Sequence, residues 1–318
     1  MGRLLRRGDK EEWGESYLIP NPKSKICGTQ SPHAAGIDEV QAGFAVRRRS
    51  TLHFQHNGDR NPKSYWRLIP LLEASGEIQM AIDRWLLQQH RQGKHPPTLR
   101  FYTWSPAAIS VGYHQHHYPE HWRELTWQGK PIDLVRRPTG GRAVLHQGDL
   151  TYMVVASSIP GRRTEVYQKI CEFLVHGWRS LGIELRYGSA GRGYIHNPNC
   201  FGTATNADLV APDGRKLIGS AQLRQGNAIL QHGSILLNPN RQLFRQVFGD
   251  SAPEPVNLPI QLTETRASQK VVVQALTEAA SQCFGIELVT QPLSEIELQE
   301  IYCANVSDRA RHPTLNSG

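Results

Sequence analysis

Residue types that can bind an anion or polarise a carbonyl group are concentrated in one stretch, Arg136-Arg137-Pro138-Thr139-Gly140-Gly141-Arg142-Ala143-Val144-Leu145-His146. Gly140 and Gly141 lack Cβ atoms, so the backbone there can adopt a positive φ angle and let a ligand approach closely. Successive N–H groups in such a turn can form a concave site for an anion or a carbonyl oxygen. The stretch also fits a basic β-hairpin between strands at residues 132–135 and 150–155, and local chemistry alone leaves both interpretations open.

A second group of polar side chains is predicted on a β-hairpin further along the chain. Asp213-Gly214 is a strong hairpin signal, and residues 215–224 after it alternate as a strand does. Alternation puts four polar side chains on one face with Ile218. They are Lys216, Ser220, Gln222 and Arg224. The return strand, residues 228–237, is mostly apolar but carries His232 and Ser234. Polar groups inside such a run favour a lined pocket, although a solvated strand face is the simpler interpretation.

Cys200 is the candidate nucleophile in a loop-like stretch, Pro198-Asn199-Cys200-Phe201-Gly202, that precedes a predicted strand at residues 207–210. Most single cysteines pack as small apolar side chains. The neighbouring glycine and proline favour a loop, and therefore an accessible thiol, which a nucleophile requires. The residue types alone leave Cys200 as either a packing thiol or a nucleophile.

Composition limits the class of protein. The chain has 318 residues, a net charge of +8 and a hydrophobic fraction of 39%, which is enough for a sizeable core. Five cysteines without regular spacing argue against a disulfide framework and for a reducing, cytoplasmic setting. No apolar run is long enough to span a membrane, and the N-terminal residues lack the apolar segment of a secretory signal. Neither membrane insertion nor secretion is therefore expected. The short run Arg47-Arg48-Arg49 is typical of a solvated segment, so nucleic-acid binding is not expected.

The chain divides into three predicted regions. Residues 1–63 are predicted to be a disordered basic tail, because they show no sustained periodicity. Residues 64–250 are predicted to form the folded domain that carries these motifs, and residues 251–318 a C-terminal helical extension. Strands follow one another between the second and third predicted helices, which favours an α+β fold with a mixed or antiparallel β-sheet flanked by helices. The predicted helices begin at Ser75, Thr164, Ser268 and Ser294, and the first two end near Arg91 and Leu181.

Three motifs in this order resemble the biotin/lipoate protein ligase superfamily, and most closely its octanoyltransferases of the lipoate-ligase-like (LipM) type. They are residues 136–146, Gly219-Ser220-Ala221-Gln222, and Gln231-His232-Gly233-Ser234-Ile235-Leu236, and the resemblance covers roughly residues 65–249. It implies a class II synthetase-like catalytic domain. It also implies that Cys200, followed by Phe201, is the acyl-accepting cysteine. Related ATP-using lipoate ligases lack that cysteine and tend to have glycine where this chain has Arg142.

The activity that this resemblance implies is acyl transfer in lipoate biosynthesis. Octanoyl-acyl carrier protein is the expected donor, and a lysine of a lipoyl domain or of the glycine cleavage H protein is the expected acceptor. Cys200 would hold the octanoyl group as a thioester, and Lys216 is the candidate for lowering the pKa of its thiol. The expected substrate-binding residues are Arg136, Arg137, Thr139, Gly140, Gly141, Arg142, His146, Ser220, Gln222 and His232. Among these, the arginines are candidates for binding the acidic carrier or its phosphate.

No cofactor and no metal are expected for acyl transfer. His114, His116 and His117 lie close together, but no cysteine or carboxylate pattern completes a metal site. Three alternatives stay open. An ATP-dependent lipoate-protein ligase would need ATP and magnesium, so it is separable by whether octanoylation proceeds without added ATP. An amidotransferase would take its octanoyl group from another lipoyl protein. A non-catalytic homologue would only bind an acidic partner protein.

Overall fold

The computed structural model describes residues 64–188, 208–249, 252, 254–259, 262 and 266–311, together with the two-residue strand Tyr17–Leu18. The helices in these ranges are α1 (Gly76–Arg91), α2 (Arg163–Ser180), α3 (Arg241–Phe248), α4 (Arg266–Phe284) and α5 (Glu295–Arg311), with a 3-10 turn at Glu120–Arg123. The strands are β1 (Tyr17–Leu18), β2 (Tyr65–Ala74), β3 (Thr98–Trp104), β4 (Ala108–Val111), β5 (Thr126–Trp127), β6 (Lys130–Pro131), β7 (Asp133–Arg136), β8 (Val144–His146), β9 (Asp149–Ser157), β10 (Arg186–Tyr187), β11 (Asp208–Val210), β12 (Lys216–Gln225), β13 (Ala228–Leu236) and β14 (Glu287–Thr290).

The main sheet has the strand order β1-β2-β3-β9-β13-β12-β11-β10, and β14 adds to β2. Its pairs with β2 are parallel, and the pairs from β3 to β10 are antiparallel. A mixed sheet with helices against it is an α+β architecture, as the sequence predicts. The hairpin expected at Asp213-Gly214 is present between β11 and β12, where Gly214 has a φ of +84°.

Helices cover both faces of the central strands, which explains why β9 is a continuous apolar run. Tyr152 and Val154 pack on one face in a core with α2 and α4. Met153 and Val155 pack on the other face in a core with α1. Because successive side chains of a strand point to opposite faces, a strand buried on both sides needs apolar residues at nearly every position.

The segment after residue 250, expected as a helical extension, contributes to the same sheet and cores. Leu276 of α4 packs in the core that contains Trp178 of α2. Strand β14 pairs with β2, with Leu288 opposite Trp66. Ile301 of α5 is fully buried in the core formed with α1. Removing this segment would therefore expose core surface of the domain that carries the candidate site.

The stretch around Gly140-Gly141 is not a simple hairpin. Strands β7 and β8, on either side of it, both pair with β4 in a separate three-stranded sheet, and β9 belongs to the main sheet. The predicted hairpin between residues 132–135 and 150–155 is therefore wrong. The small sheet packs on α3 through Trp122, Leu145 and Phe244. The turn therefore connects two strands of the small sheet that both pair with β4.

Most helix limits agree with the sequence to within one or two residues. Helix α1 begins after Ser75 as expected, but its first N–H, that of Gly76, donates to the Asp133 carboxylate at 2.8 Å and the Ser75 side chain makes no cap. Ser268 was expected to cap the third helix and instead lies inside α4. The capping box of Ser294 and Glu297 before α5 is confirmed, with bonds of 2.7 and 3.2 Å. Helix α3 was not predicted, although Asn240 caps it.

Strand β1 lies within the segment predicted as a tail. Tyr17 and Leu18 pair in parallel with Leu72 and Glu73 of β2. The other residues of 1–63 lie outside the described residues, so their predicted disorder stays a prediction.

Candidate active site

The glycine turn approaches the end of β4 at a distance that only glycine permits. A Cβ atom on Gly112 would overlap the carbonyl oxygen of Gly141. Gly141 has a φ of +95°, a conformation that side-chain-bearing residues rarely adopt. A Cβ on Gly140, by contrast, would meet no atom of the described residues within 4 Å. The turn is therefore fixed on the Gly112 side, and no described residue packs against Gly140.

Arg137 holds the turn from within. Its Nη1 donates to the carbonyl oxygen of Ser110 at 2.8 Å and to its hydroxyl at 3.3 Å. Its Nε and Nη2 donate to the Gly140 oxygen at 3.2 and 2.9 Å, and Nη2 also donates to the Arg142 oxygen at 2.6 Å. These bonds account for all five N–H groups of a guanidinium. Arg137 therefore holds the turn in this structure, and its predicted binding of a carrier phosphate stays a prediction.

Arg136 orders the neighbouring loop. Its Nη1 donates to the carbonyl oxygens of Gly112, Tyr113 and Gln115 at 2.7, 3.1 and 2.9 Å. Tyr113 in turn donates its backbone N–H to the Thr139 oxygen at 2.8 Å. Arg136 thus joins the loop after β4 to the glycine turn. Arg142 is half-buried, and its carbonyl oxygen is one of the Arg137 acceptors.

Three carbonyl oxygens of the turn are engaged in hydrogen bonds, whereas two of its N–H groups bond no acceptor among the described residues. The oxygens of Thr139, Gly140 and Arg142 all accept hydrogen bonds from within the protein. Neither Gly140 nor Gly141 donates its N–H to an acceptor among the residues that the structure describes. Two adjacent N–H groups of this kind are suited to a carbonyl oxygen or an oxyanion.

His232 connects the turn to a buried carboxylate. Its Nε2 lies 2.7 Å from the Thr139 hydroxyl, and its Nδ1 lies 2.8 Å from Asp83 Oδ2. Arg100 donates to Asp83 Oδ1 through Nε and Nη2 at 3.0 and 2.6 Å, and Tyr102 donates to Oδ2 at 3.0 Å. Burial alone would raise the pKa of Asp83, but Arg100 and His232 together hold that pKa below its ordinary value. Asp83 is therefore an ionised, hydrogen-bonded carboxylate.

His146 forms a second chain of the same kind. Its Nδ1 lies 2.8 Å from Asp149 Oδ2, and its Nε2 lies 2.8 Å from the Ser110 hydroxyl that Arg137 also contacts. Ser234 donates to the same Asp149 oxygen at 2.7 Å. Burial lowers the pKa of His146 below its ordinary value, although Asp149 acts in the opposite direction. The neutral imidazole contacts the Ser110 hydroxyl, and Arg137 donates to the same hydroxyl. His146 therefore supports the glycine turn through Ser110 and Arg137.

Lys216 lies in a buried ion pair at the start of β12. Its Nζ is 2.9 Å from Asp208 Oδ1 of β11. The register shifts between Leu209 and Val210, so the alternation that the sequence predicts is interrupted after Lys216. Asp208 pairs with Gly219, which places the ion pair on the face opposite to Ser220. The prediction that Lys216 shares a face with Ser220 and Gln222 is therefore wrong.

Ser220 and Gln222 belong to a polar network on the α2 side of the sheet. The Tyr152 hydroxyl donates to Ser220 at 2.8 Å, and Gln222 donates to Gln231 at 2.9 Å. Gln231 donates to the Tyr152 oxygen at 3.1 Å and to Cys171 Sγ at 3.2 Å. Ser220 and Gln222 thus make their hydrogen bonds on the α2 side of the sheet. Sequence reasoning had grouped them with the glycine turn as substrate-binding residues. Burial raises the pKa of Cys171 to about 12, so its thiol stays protonated.

Sequence reasoning missed the carboxylates behind the two histidines. Asp83 lies within the apolar stripe of α1, and a carboxylate there was the available signal, because charged side chains are rarely fully buried unless paired. Asp149 directly follows Gly148 at the start of β9 and had no local signal. Cys200, the predicted nucleophile, lies outside the described residues.

Two general features concern metals and membranes. Among the residues that the structure describes, no group of three or more His, Cys, Asp or Glu side chains is arranged to hold a metal ion. No helix in the described ranges combines the length and apolar content that a bilayer crossing requires.

Comparison with known proteins places these features in a family. The model of the lipoyl protein ligase A/B catalytic domain matches residues 75–285. Octanoyltransferase LipM of Brevibacillus brevis is 35% identical over 274 residues, which cover 78% of this chain and 96% of that protein. Octanoyltransferase LipM of Bacillus subtilis is 42% identical over 197 residues, which cover 58% of this chain and 70% of that protein.

Solved structures agree on the fold. Protein Ta0514 from T. acidophilum, with bound lipoic acid, matches with a TM-score of 0.62 and 24% identity, covering 77% of this chain and 95% of that one. At this level of identity the match supports the architecture alone. The family model spans more than half of the chain and includes both the glycine turn and the Lys216 strand. The chain belongs to the lipoyl protein ligase A/B catalytic domain family.

Proposed function

We propose that this protein is an octanoyltransferase of lipoate biosynthesis. It takes octanoyl from octanoyl-acyl carrier protein and transfers it to a lysine of a lipoyl domain or of the glycine cleavage H protein. The observation that carries the proposal is the 35% identity to an octanoyltransferase over 96% of that enzyme's length. A reducing cytoplasm, where a free thiol persists, is the proposed location.

The proposed reaction has two half-reactions that share one covalent intermediate. The Cys200 thiolate attacks the thioester carbonyl of the donor, the phosphopantetheine thiolate leaves, and a new thioester forms. The acceptor amine then attacks that carbonyl, loses a proton, and expels the Cys200 thiolate as the amide forms. Exchange between thioesters is nearly neutral in energy, and the amide product is the more stable species, which draws the second step forward.

The geometry of the turn supports this chemistry. The N–H groups of Gly140 and Gly141 bond no acceptor among the residues that the structure describes, and in the proposal they hold the oxyanion of each tetrahedral intermediate. Lys216 supplies a buried positive charge, paired with Asp208. In the proposal this ammonium group favours the thiolate of Cys200. No step needs ATP, which separates the proposal from a ligase that forms an acyl-adenylate.

The test is formation of the acyl-enzyme without nucleotide. Purified protein is incubated with octanoyl-acyl carrier protein and no ATP, and its intact mass is measured before and after hydroxylamine. One octanoyl group should appear, should map to Cys200 and should be released by hydroxylamine. Cys171→Ser is the matched control, because burial keeps that thiol protonated and the variant should still be acylated. An unchanged reaction in Cys200→Ser, or a strict need for ATP, would overturn the proposal.

A further inference from the structure

Helix α3 has an apolar face towards the protein and a basic face towards solvent. Its four buried residues pack in the core of the small sheet, and they are Leu243, Phe244, Val247 and Phe248. Arg241 and Arg245 are both exposed. Because they are four residues apart, their guanidinium groups lie on one side of the helix. The helix contains no Asp or Glu, so this side attracts anions.

A cavity of about 160 Å³ lies beside the basic side of α3. It is lined by Arg241, Arg245, Glu254, Phe244, Pro239 and Pro255, among other residues. Its volume is about ten times what one water molecule requires, so a phosphate group fits inside. A wall that combines guanidinium groups with an aromatic ring and prolines suits an anion attached to an organic chain.

The cavity carries an excess of positive charge. Arg241 Nη2 lies 3.7 Å from Glu254 Oε2, and the two side chains are 63% and 70% exposed. The Arg245 guanidinium forms no hydrogen bond or ion pair with any residue that the structure describes. Two guanidinium groups and one carboxylate give the cavity a net charge of +1, which matches one phosphodiester.

The cavity adjoins the start of β12. Arg215 Nη1 donates to the carbonyl oxygen of Pro255, a residue of the cavity wall, at 2.7 Å. Arg215 directly precedes Lys216, whose ammonium group supplies the positive charge in the proposed function. One arginine side chain therefore separates the wall of the cavity from the backbone of Lys216.

Helix α3 also lies on the face of the main sheet that carries the ion pair of Lys216 and Asp208. Asp208 pairs with Gly219, and Gly219 pairs with Ser234, so these three positions point to one face. Leu236 follows Ser234 by two residues and therefore shares that face. Leu236 is buried in the same core as the apolar side of α3. The cavity and the ion pair are thus at one end and on one face of the sheet.

We propose that this cavity binds the phosphodiester of the donor's phosphopantetheine arm, with Arg245 and Arg241 as the binding residues. This inference rests on the proposed function, in which the donor thioester is at the end of that arm. The extended arm places its phosphorus about 15 Å from its sulfur, by ordinary bond lengths. A phosphate held beside the start of β12 therefore leaves the thioester enough length to reach the face that carries Lys216.

The test compares two small donors that differ only in the phosphate, octanoyl-4′-phosphopantetheine and octanoyl-pantetheine, with octanoyl-acyl carrier protein as the third donor. Acylation is followed by intact mass at several donor concentrations, which separates the half-saturating concentration from the maximal rate. The wild type should reach half-saturation at about a tenfold lower concentration of the phosphorylated small donor, the usual effect of hydrogen bonds to a charged group.

Arg245→Gln should raise the half-saturating concentration of octanoyl-phosphopantetheine about tenfold and leave its maximal rate unchanged. The same variant should react normally with octanoyl-pantetheine. Glu254→Gln should act in the opposite direction and lower the half-saturating concentration of the phosphorylated donor about threefold, because it removes a negative charge from the cavity. Arg91→Gln is the matched control: this exposed arginine bonds Gln88 and Gln225 at the other end of β12, and its loss should change neither donor.

Three results would overturn the proposal. One is a wild type that reacts no better with octanoyl-phosphopantetheine than with octanoyl-pantetheine. Another is an Arg245→Gln defect with the carrier protein alone, which would show that the arginine contacts acidic side chains of the carrier. The third is an equal defect with both small donors, which would show that Arg245 only shapes the site. A wild type that gains no octanoyl group from octanoyl-acyl carrier protein would instead refute the proposed function, so the two failures are distinguishable.

Discussion

Lys216 Nζ lies 2.9 Å from Asp208 Oδ1, and the two side chains are only 3% and 4% exposed. Lys216 is therefore one half of a buried ion pair between β11 and β12. Any change to Lys216 alters two things at once, the positive charge near the candidate site and the neutralisation of Asp208. A single substitution cannot separate these effects, whereas a double substitution can.

We expect Lys216→Met to lower the free energy of unfolding by on the order of 3 kcal/mol, because it leaves Asp208 charged and buried. Lys216→Met combined with Asp208→Asn should recover much of that stability, since neither charge remains. Octanoyl transfer should stay about a hundredfold or more below wild type in both variants. Urea denaturation and single-turnover acylation measure the two quantities. A double variant that recovers transfer together with stability would remove Lys216 from the chemistry.

Alanine substitution of two glycines of the site should affect the stability of the protein differently. Gly112→Ala brings a Cβ into overlap with the Gly141 oxygen, so the turn must shift and both stability and transfer should fall. Gly140→Ala adds a Cβ that meets no described residue within 4 Å, so the melting temperature should stay close to wild type. If the substrate carbonyl lies beside Gly140, the methyl group should still raise KM for the donor. Thermal unfolding and steady-state kinetics on both variants check this.

The outcome that would contradict this interpretation is a Gly140→Ala enzyme with wild-type KM. Such a result would show that the acyl group does not lie beside Gly140. The Gly112→Ala variant serves as the internal reference, because it disturbs the same turn without adding an atom beside Gly140.

The parts of the fold that depend on local pattern were predictable, and those that depend on distant contacts were not. Helix α1 and the hairpin of β11 and β12 follow from periodicity and turn residues, and both are present. The resemblance to the family is confirmed, and octanoyltransferase relatives bear out the predicted acyl transfer. Donor, acceptor and the role of Cys200 stay predictions.

The contacts between the polar side chains of the site could not be predicted from the sequence. Asp83 and His232 are 149 residues apart in the chain, so no spacing rule links them. The register shift beside Val210 moved Lys216 to the other face from Ser220, and strict alternation could not reveal it. Arg137 looked like an anion-binding residue because its donors are visible in the sequence, whereas its backbone acceptors are not.

His146 makes stability depend on pH in a defined direction. Burial lowers its pKa in the folded protein below the ordinary value of 6.5, so the unfolded chain binds the proton more tightly. The corresponding stability is fully present above pH of about 6.5 and is lost as the pH falls through the folded-state pKa. His146→Gln should therefore show a shallower loss of unfolding free energy than wild type between about pH 6.5 and 5. Parallel pH dependence in the two proteins would contradict this.

An ion pair between Arg67 and Glu297 attaches helix α5 to strand β2. Arg67, only 1% exposed, donates to the two Glu297 oxygens at 2.6 and 2.9 Å and to the Gln291 and Pro292 carbonyl oxygens at 3.0 and 2.6 Å. Burial alone would raise the pKa of Glu297, but hydrogen bonds from Arg67 and Ser294 hold it below its ordinary value of 4.5. The stabilisation that ionised Glu297 contributes is therefore present above pH 4.5, and it is lost as the pH falls through the pKa of Glu297 in the folded protein.

Glu297→Gln should lower the unfolding free energy by on the order of 3 kcal/mol at neutral pH, because it leaves the Arg67 guanidinium buried without its anion. Ser294→Ala is the matched control: it removes the hydroxyl from the same capping box without touching Arg67 and should cost about 1 kcal/mol. Urea denaturation of both variants at pH 7 measures the difference. The difference in unfolding free energy between the two variants should become smaller at acidic pH, because Glu297 is then protonated in the wild type. Equal losses in the two variants at pH 7 would show that α5 is held by its cap and apolar contacts, with no net contribution from the ion pair.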